Sequence, residues 1–223
     1  MLCSSLVSYI CIKLPGPYGL IIILPTSTAL LVRPSYINIP QCSQRHVHDN
    51  SPTAHKAMNL NITTSDNETL GAWFILSDAF YQEFSKSSGR SSRPFVEEEI
   101  KKSLQEHPTI IFFHGNAANR VAPYRVSLYS SLSTRLAANV LAIDYRGFGD
   151  STGAPSETGL LRDGRAAWDW LISRGAKADS IVIMGHSLGT SVSALLGEQL
   201  ASEGRPQHQW IHQSHPCVAR HPP

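Results

Sequence analysis

Ile181-Val-Ile-Met184, followed at once by Gly185-His186-Ser187-Leu188-Gly189, is the stretch on which the fold turns. Four apolar residues in a row suit a strand covered on both faces. They stop at a glycine, and Leu188, Val192, Leu195, Leu196 and Leu200 then recur at helical spacing. The pattern predicts a buried strand, a tight turn and a helix with no linker between them. Ser187 sits at the junction.

Toward the N-terminus the same unit recurs. Thr109-Ile-Ile-Phe-Phe113 and Val140-Leu-Ala-Ile143 are two more continuous apolar runs. Leu128, Leu132 and Leu136 mark a helix after the first. Ser156 can cap a helix after the second, with Glu157 in its first turn and Leu160, Ala167 and Leu171 along one face. Buried strands alternating with helices predict an α/β fold, a mostly parallel sheet of right-handed βαβ units with helices on both faces. Ahead of it, Leu60, Ile62 and Thr64, then Leu70, Ala72, Phe74 and Leu76, alternate about Ser65-Asp66-Asn67. Period two on both sides of a turn-forming cluster predicts an N-terminal antiparallel hairpin. Residues 77–107 read as a polar excursion holding one short helix with Val96, Ile100 and Leu104 on a face. The domain is expected over 59–203, after a linker at 34–58 and before an irregular tail at 204–223.

The 223 residues, 42% hydrophobic and 16% charged, can build one globular core. A net charge of +2, with basic residues beside acids, excludes the electrostatic footprint of a nucleic-acid binder. Cys3, Cys11, Cys42 and Cys217 are too few and too unevenly placed for a disulfide framework. Residues 1–33 form a hydrophobic segment, uncharged from Leu14 to Val32 and interrupted by Pro15, Pro17 and Pro25. That length is marginal for a spanning helix. A membrane anchor, a cleaved or interfacial segment and an untargeted hydrophobic lead all stay open, so the compartment is not fixed. Asn61 and Asn67 match the glycosylation acceptor pattern, which matters only in a lumenal protein. Nothing in the sequence fixes an oligomeric state.

Gly-x-Ser-x-Gly alone is a modest signal, but here it follows a buried strand and opens a helix. That is the setting in which a strained serine is presented as a nucleophile, with glycines letting strand and helix pack closely. Ser187 is the candidate. Acyl transfer builds negative charge on the former carbonyl oxygen, and fixed backbone N–H groups stabilise it. The N–H of Leu188 and that of Asn116, in His114-Gly115-Asn116-Ala117 after the first core strand, are the expected donors. His114 precedes the serine, whereas such sites order serine, acid, then histidine; it is expected to hold the oxyanion turn through its ring. Asp144 and Asp150, in Asp144-Tyr145-Arg146-Gly147-Phe148-Gly149-Asp150-Ser151, read as a self-satisfied turn with Arg146. No cofactor and no metal are expected. His208, His212, His215 and Cys217 could be drawn as a metal cluster, but Pro206 and Pro216 flank them and unstructured sequence is the preferred reading.

Taken together, these blocks resemble the α/β-hydrolase family, and more narrowly the membrane-associated monoacylglycerol and lysophosphatidylserine lipase branch and its fungal relatives. The resemblance runs from about Asn59 to Glu203 and includes Glu68-Thr69-Leu70-Gly71-Ala72-Trp73 and Trp168-Asp169-Trp170. It implies hydrolysis of ester or thioester bonds of lipids and an N-terminal anchor. Family members continue after the nucleophile helix with three more strands that carry the triad acid and histidine. Here no Asp follows Asp179, and the acids downstream of Ser187 are Glu198 and Glu203. The helix carries Glu203 roughly 20 Å from the serine. The expectation is therefore a C-terminally truncated serine hydrolase whose acid and histidine are absent and whose activity is impaired. The rival reading is a non-catalytic protein that pairs through the open outer edge of strand 180–184.

Overall fold

In the computed structural model, which describes residues 10–13, 20–24, 56–87 and 95–204, the three apolar runs lie side by side. Seven strands are described: β1 (Ile10–Lys13), β2 (Leu20–Leu24), β3 (Ala57–Thr63), β4 (Thr69–Ile75), β5 (Thr109–Phe113), β6 (Asn139–Ile143) and β7 (Ile181–His186). They form one sheet in the order β1-β2-β7-β5-β6-β4-β3. The pairs β2/β7, β7/β5 and β5/β6 are parallel, while β3 and β4 form the expected hairpin, docked antiparallel on β6. The helices are α1 (Asp78–Ser87), α2 (Glu97–Glu106), α3 (Pro123–Arg135), α4 (Glu157–Ser173) and α5 (Leu188–Glu203).

Strand alternation sends successive side chains into two cores, one on each face of the sheet. Ile111, Phe113, Leu141, Ile143, Ile181 and Ile183 meet Ala167 and Leu171 of α4 and Val192, Leu196 and Leu200 of α5. Ile110, Phe112, Val140, Ala142 and Met184 face the other way, onto Tyr129 and Leu132 of α3. Each Val, Leu, Ile, Phe or Met side chain among them contributes about 1.5–3 kcal/mol by leaving water, so both layers hold β5, β6 and β7 in place. The common C-terminal edge of these strands carries the candidate site.

Several expectations need correction. The outer edge of β7 is not open: β2 runs parallel to it, with Ile21 opposite Ile183 and Leu24 opposite His186. Pairing of a partner through that edge therefore lacks its free strand. β3 begins at Ala57, inside the stretch expected as linker. Helix α1 falls in what the sequence suggests is a polar excursion; its Phe80 and Phe84, one turn apart, stack on each other. Val96 is the exposed residue before α2, because the Glu99 carboxylate accepts from its N–H and starts the helix one position later. Leu136 is likewise exposed, since the chain leaves the helix there and Ala137 takes φ +48. The inner face of α3 is instead Arg125, Tyr129, Leu132 and Ser133. Ser156 caps α4 as expected, accepting from the Gly159 N–H. No helix among the described residues is long and apolar enough to cross a membrane. The tail histidines and Cys217, Cys3 and Cys42 lie outside the described residues.

Candidate active site

Serine is among the residues that best cap a helix, its hydroxyl accepting from an N–H of the first turn. Ser187 occupies the N-cap of α5 and makes no such bond, because its backbone is turned to φ +55 and ψ −117. A side chain in that region costs on the order of 1–3 kcal/mol. What the turn achieves is a half-buried hydroxyl with no hydrogen-bond partner among the described residues, standing over the positive end of a 16-residue helix. The helix is drawn hard against the sheet. A Cβ on Gly189 would fall on the Phe113 carbonyl, and one on Gly185 would strike the Gly189 carbonyl.

The loop after β5 abuts this elbow. A Cβ built on Gly115 would lie 3.0 Å from the Ser187 Cβ. Among the described residues nothing accepts from the N–H of Asn116 or of Leu188. At the start of a helix the Leu188 N–H has no intrahelical acceptor to lose. Of the two N–H groups named from the sequence, one is on the residue after Ser187 and the other on the residue after Gly115, and neither is engaged among the described residues. An anionic oxygen is the kind of group they can take.

His114 is fully buried beneath the loop. Its Nδ1 lies 2.8 Å from the Gly115 carbonyl, which can only accept, so Nδ1 carries a proton. Nε2 lies 3.2 Å from Asp144 Oδ1 but outside hydrogen-bonding geometry. The Tyr145 hydroxyl donates to the His114 carbonyl at 2.9 Å, and burial pushes that phenol's pKa well up. This matches a histidine that shapes the turn.

The turn 144–151 closes its own backbone, the Phe148 N–H donating to the Tyr145 carbonyl and the Ser151 N–H to the Phe148 carbonyl, but its charged side chains are satisfied from outside it. Asp144 accepts from the main-chain N–H and Nη1 of Arg120, and Asp150 from both Arg120 nitrogens. Burial lowers the basicity of Arg120, but Asp150 and Asp144 more than reverse it, and its pKa is raised. Arg146, expected to serve this turn, instead binds Asp163 of α4 and Asp66 of the hairpin turn. Arg125, 2% exposed, spreads its guanidinium over three loop carbonyls: Asn119 at 2.6 Å, Ala117 at 2.6 Å and Gly115 at 3.3 Å. Sequence reading passes over Arg120 and Arg125, although two arginines close behind a loop of small residues are a visible cue.

The acids downstream of Ser187 do not come to it. Glu198 is exposed, and Glu203 pairs with Arg165 at the far end of α5. His186, beside the serine, is half-buried. Burial and the charges of Arg125 and His114 hold its pKa below the ordinary value.

Residues 108–207 match the family model described as alpha/beta hydrolase fold. The chain is 31% identical over 190 residues to lysophosphatidylserine lipase ABHD12 of Gallus gallus, an alignment covering 85% of this chain and 47% of that one. It is 40% identical over 100 residues to protein ABHD12B of Homo sapiens, covering 45% of this chain and 27% of the other. Among solved structures, an alpha-beta hydrolase from Vibrio vulnificus superposes with a TM-score of 0.54 at 17% identity, over 89% of this chain and 60% of its own. That likeness is one of fold. The chain spans about half the length, or less, of the curated relatives it matches.

Proposed function

This chain belongs to the α/β-hydrolase family, and from that membership we propose that it is a serine hydrolase of lipid esters, with acylglycerols or lysophospholipids as substrates. Ser187 is the nucleophile in this reading. Its Oγ attacks the ester carbonyl, and the N–H groups of Asn116 and Leu188 hold the oxygen that becomes negative. Collapse expels the alcohol, and water then releases the acyl group from the serine. The step needs neither cofactor nor metal. Membrane association belongs to the same proposal, since such substrates sit in bilayers.

The observation that carries the reading is the backbone of Ser187 at φ +55, which leaves its hydroxyl uncapped at the start of α5. The substrate class comes from the relatives, one of which is named a lysophosphatidylserine lipase. We further propose that Ser187 works slowly when only the described residues act on it, because of the two acids that follow it there Glu198 is exposed and Glu203 pairs with Arg165. Without a held base the hydroxyl is a weak nucleophile, and only the oxyanion donors and binding remain.

The test is labelling of purified protein by a fluorophosphonate probe, with Ser187→Ala as control. Slow, Ser187-dependent labelling is expected. Wild-type labelling no higher than in the control overturns the nucleophile assignment, and rapid labelling overturns the claim of impairment. Release of fatty acid from lysophosphatidylserine, compared with a monoacylglycerol, then decides the head group.

A further inference from the structure

Arg125 differs from the other buried arginines of the site. Arg120 and Arg146 each hold two carboxylates. Arg125 is as deeply buried, yet among the described residues no carboxylate comes within ion-pair distance of it. Its partners are main-chain carbonyls of the loop that abuts Ser187. A buried cation without a counter-ion is costly to keep, so what it does to the loop becomes the question.

The geometry of the peptide unit supplies the answer. In a planar trans peptide the C=O and the following N–H point in opposite directions. The Asn119 carbonyl turns to Arg125, and the Arg120 N–H on the same peptide turns the other way, to Asp144 at 2.6 Å. The Gly115 carbonyl is likewise turned to Arg125 Nη2 and His114 Nδ1. The Asn116 N–H, on that same peptide, is therefore directed away from the arginine and is left without an acceptor. We propose that Arg125 is a positioning residue for the oxyanion site: it grips loop 115–119 by its carbonyls, fixes the Asn116 N–H for the substrate oxygen, and leaves its own unneutralised charge beside the anion that forms. The proposal rests on the reading of Ser187 as nucleophile. The lowered basicity of His186, to which the charge of Arg125 contributes, agrees with that charge being felt at the elbow.

Lysine offers the charge without the planar fork, and methionine the stem without the charge. The experiment measures the rate of Ser187 phosphonylation by the fluorophosphonate in the full chain and in Arg125→Lys, Arg125→Met and Arg125→Ala, each checked for native circular dichroism. Loss of one oxyanion donor costs about 100-fold or more. A fall of that order is expected in Arg125→Met, with a smaller one in Arg125→Lys. Guanidinium ion at tens of millimolar should restore labelling several-fold in Arg125→Ala and not at all in Ser187→Ala, a rescue that a merely structural defect would not show. Labelling of Arg125→Met within twofold of wild type overturns the proposal. If the wild type is not labelled, the reading of Ser187 fails, and amide spectra of 15N-labelled protein decide this inference separately. The Asn116 and Ala118 signals should move in Arg125→Met more than those of α4. Unmoved signals overturn it.

Discussion

The Asp144 carboxylate accepts from two donors of one residue, the main-chain N–H of Arg120 at 2.6 Å and its Nη1 at 2.5 Å. Asp144 is fully buried and Asp150 is 23% exposed, so the two acids that share this arginine are unequal. Removing the arginine strands a carboxylate in the core, which typically costs about 3–5 kcal/mol. Arg120→Met is expected to destabilise by that order in urea denaturation. Asp150→Asn should cost no more than about 1 kcal/mol, since the Arg120–Asp144 pair survives and the lost partner reaches solvent. Equal losses in the two variants would show that the asymmetry of burial does not govern this network.

Gly189 tests how tightly α5 must approach β5. The missing Cβ leaves room for the Phe113 carbonyl, a backbone group that cannot swing aside. Gly189→Ala is expected to lower stability by about 1–3 kcal/mol, as overpacking does, and to displace the elbow enough to abolish labelling of Ser187. Thermal denaturation and the fluorophosphonate assay, run on one preparation, check both parts. A stable variant that labels at the wild-type rate would mean that the helix can slide outward without disturbing the serine.

His186 gives the site a pH dependence whose sign follows from its environment. Its pKa in the folded chain lies below the ordinary 6.5, chiefly through burial and then through Arg125 and His114. As pH falls below that ordinary value the unfolded chain takes up the proton first, so stability decreases until the folded value is passed. Urea midpoints measured from about pH 8 to about pH 5 should decline on the acid side. His186→Gln should flatten that part of the decline. Arg125→Met should move the His186 titration upward in NMR, because a positive neighbour has gone. A titration that moves downward, or not at all, would place the arginine's charge elsewhere.

The three core strands were legible because burial on both faces leaves an unbroken apolar run, and β5, β6 and β7 fall on the expected residues. The serine turn was legible for the same reason: glycines interrupt an apolar strand where a helix must begin. Periodicity served α3 less well. Leucine spacing points to Leu128, Leu132 and Leu136, yet the helix turns Arg125 and Tyr129 inward, because the loop carbonyls at 115–119 need a donor. A hydrophobic pattern cannot register a buried cation whose partners are main-chain atoms. The pairing of Arg120 with Asp144 and Asp150 escaped for a related reason, since residues 24 and 30 positions apart meet only through the tertiary fold. The placement of β2 beside β7 was likewise invisible: a segment screened for membrane length carries no mark of which strand it will pair with.

Ser187 itself offers the sharpest contrast between stability and chemistry. In most positions alanine is more stable than glycine, which loses more backbone freedom on folding. At φ +55 and ψ −117 the order should reverse, because any Cβ meets the neighbouring backbone there and glycine does not. Ser187→Gly is therefore expected to be more stable than Ser187→Ala, by about 1 kcal/mol, in paired urea titrations. Both variants lose the hydroxyl and should be silent to the fluorophosphonate. If Ser187→Ala proves the more stable, the serine is not held in a disfavoured conformation in solution, and the presentation of its hydroxyl would need another cause. If the reversal holds, the strain at this residue is a standing cost that the glycines and α5 together enforce, of the kind a site keeps for its chemistry at the expense of stability.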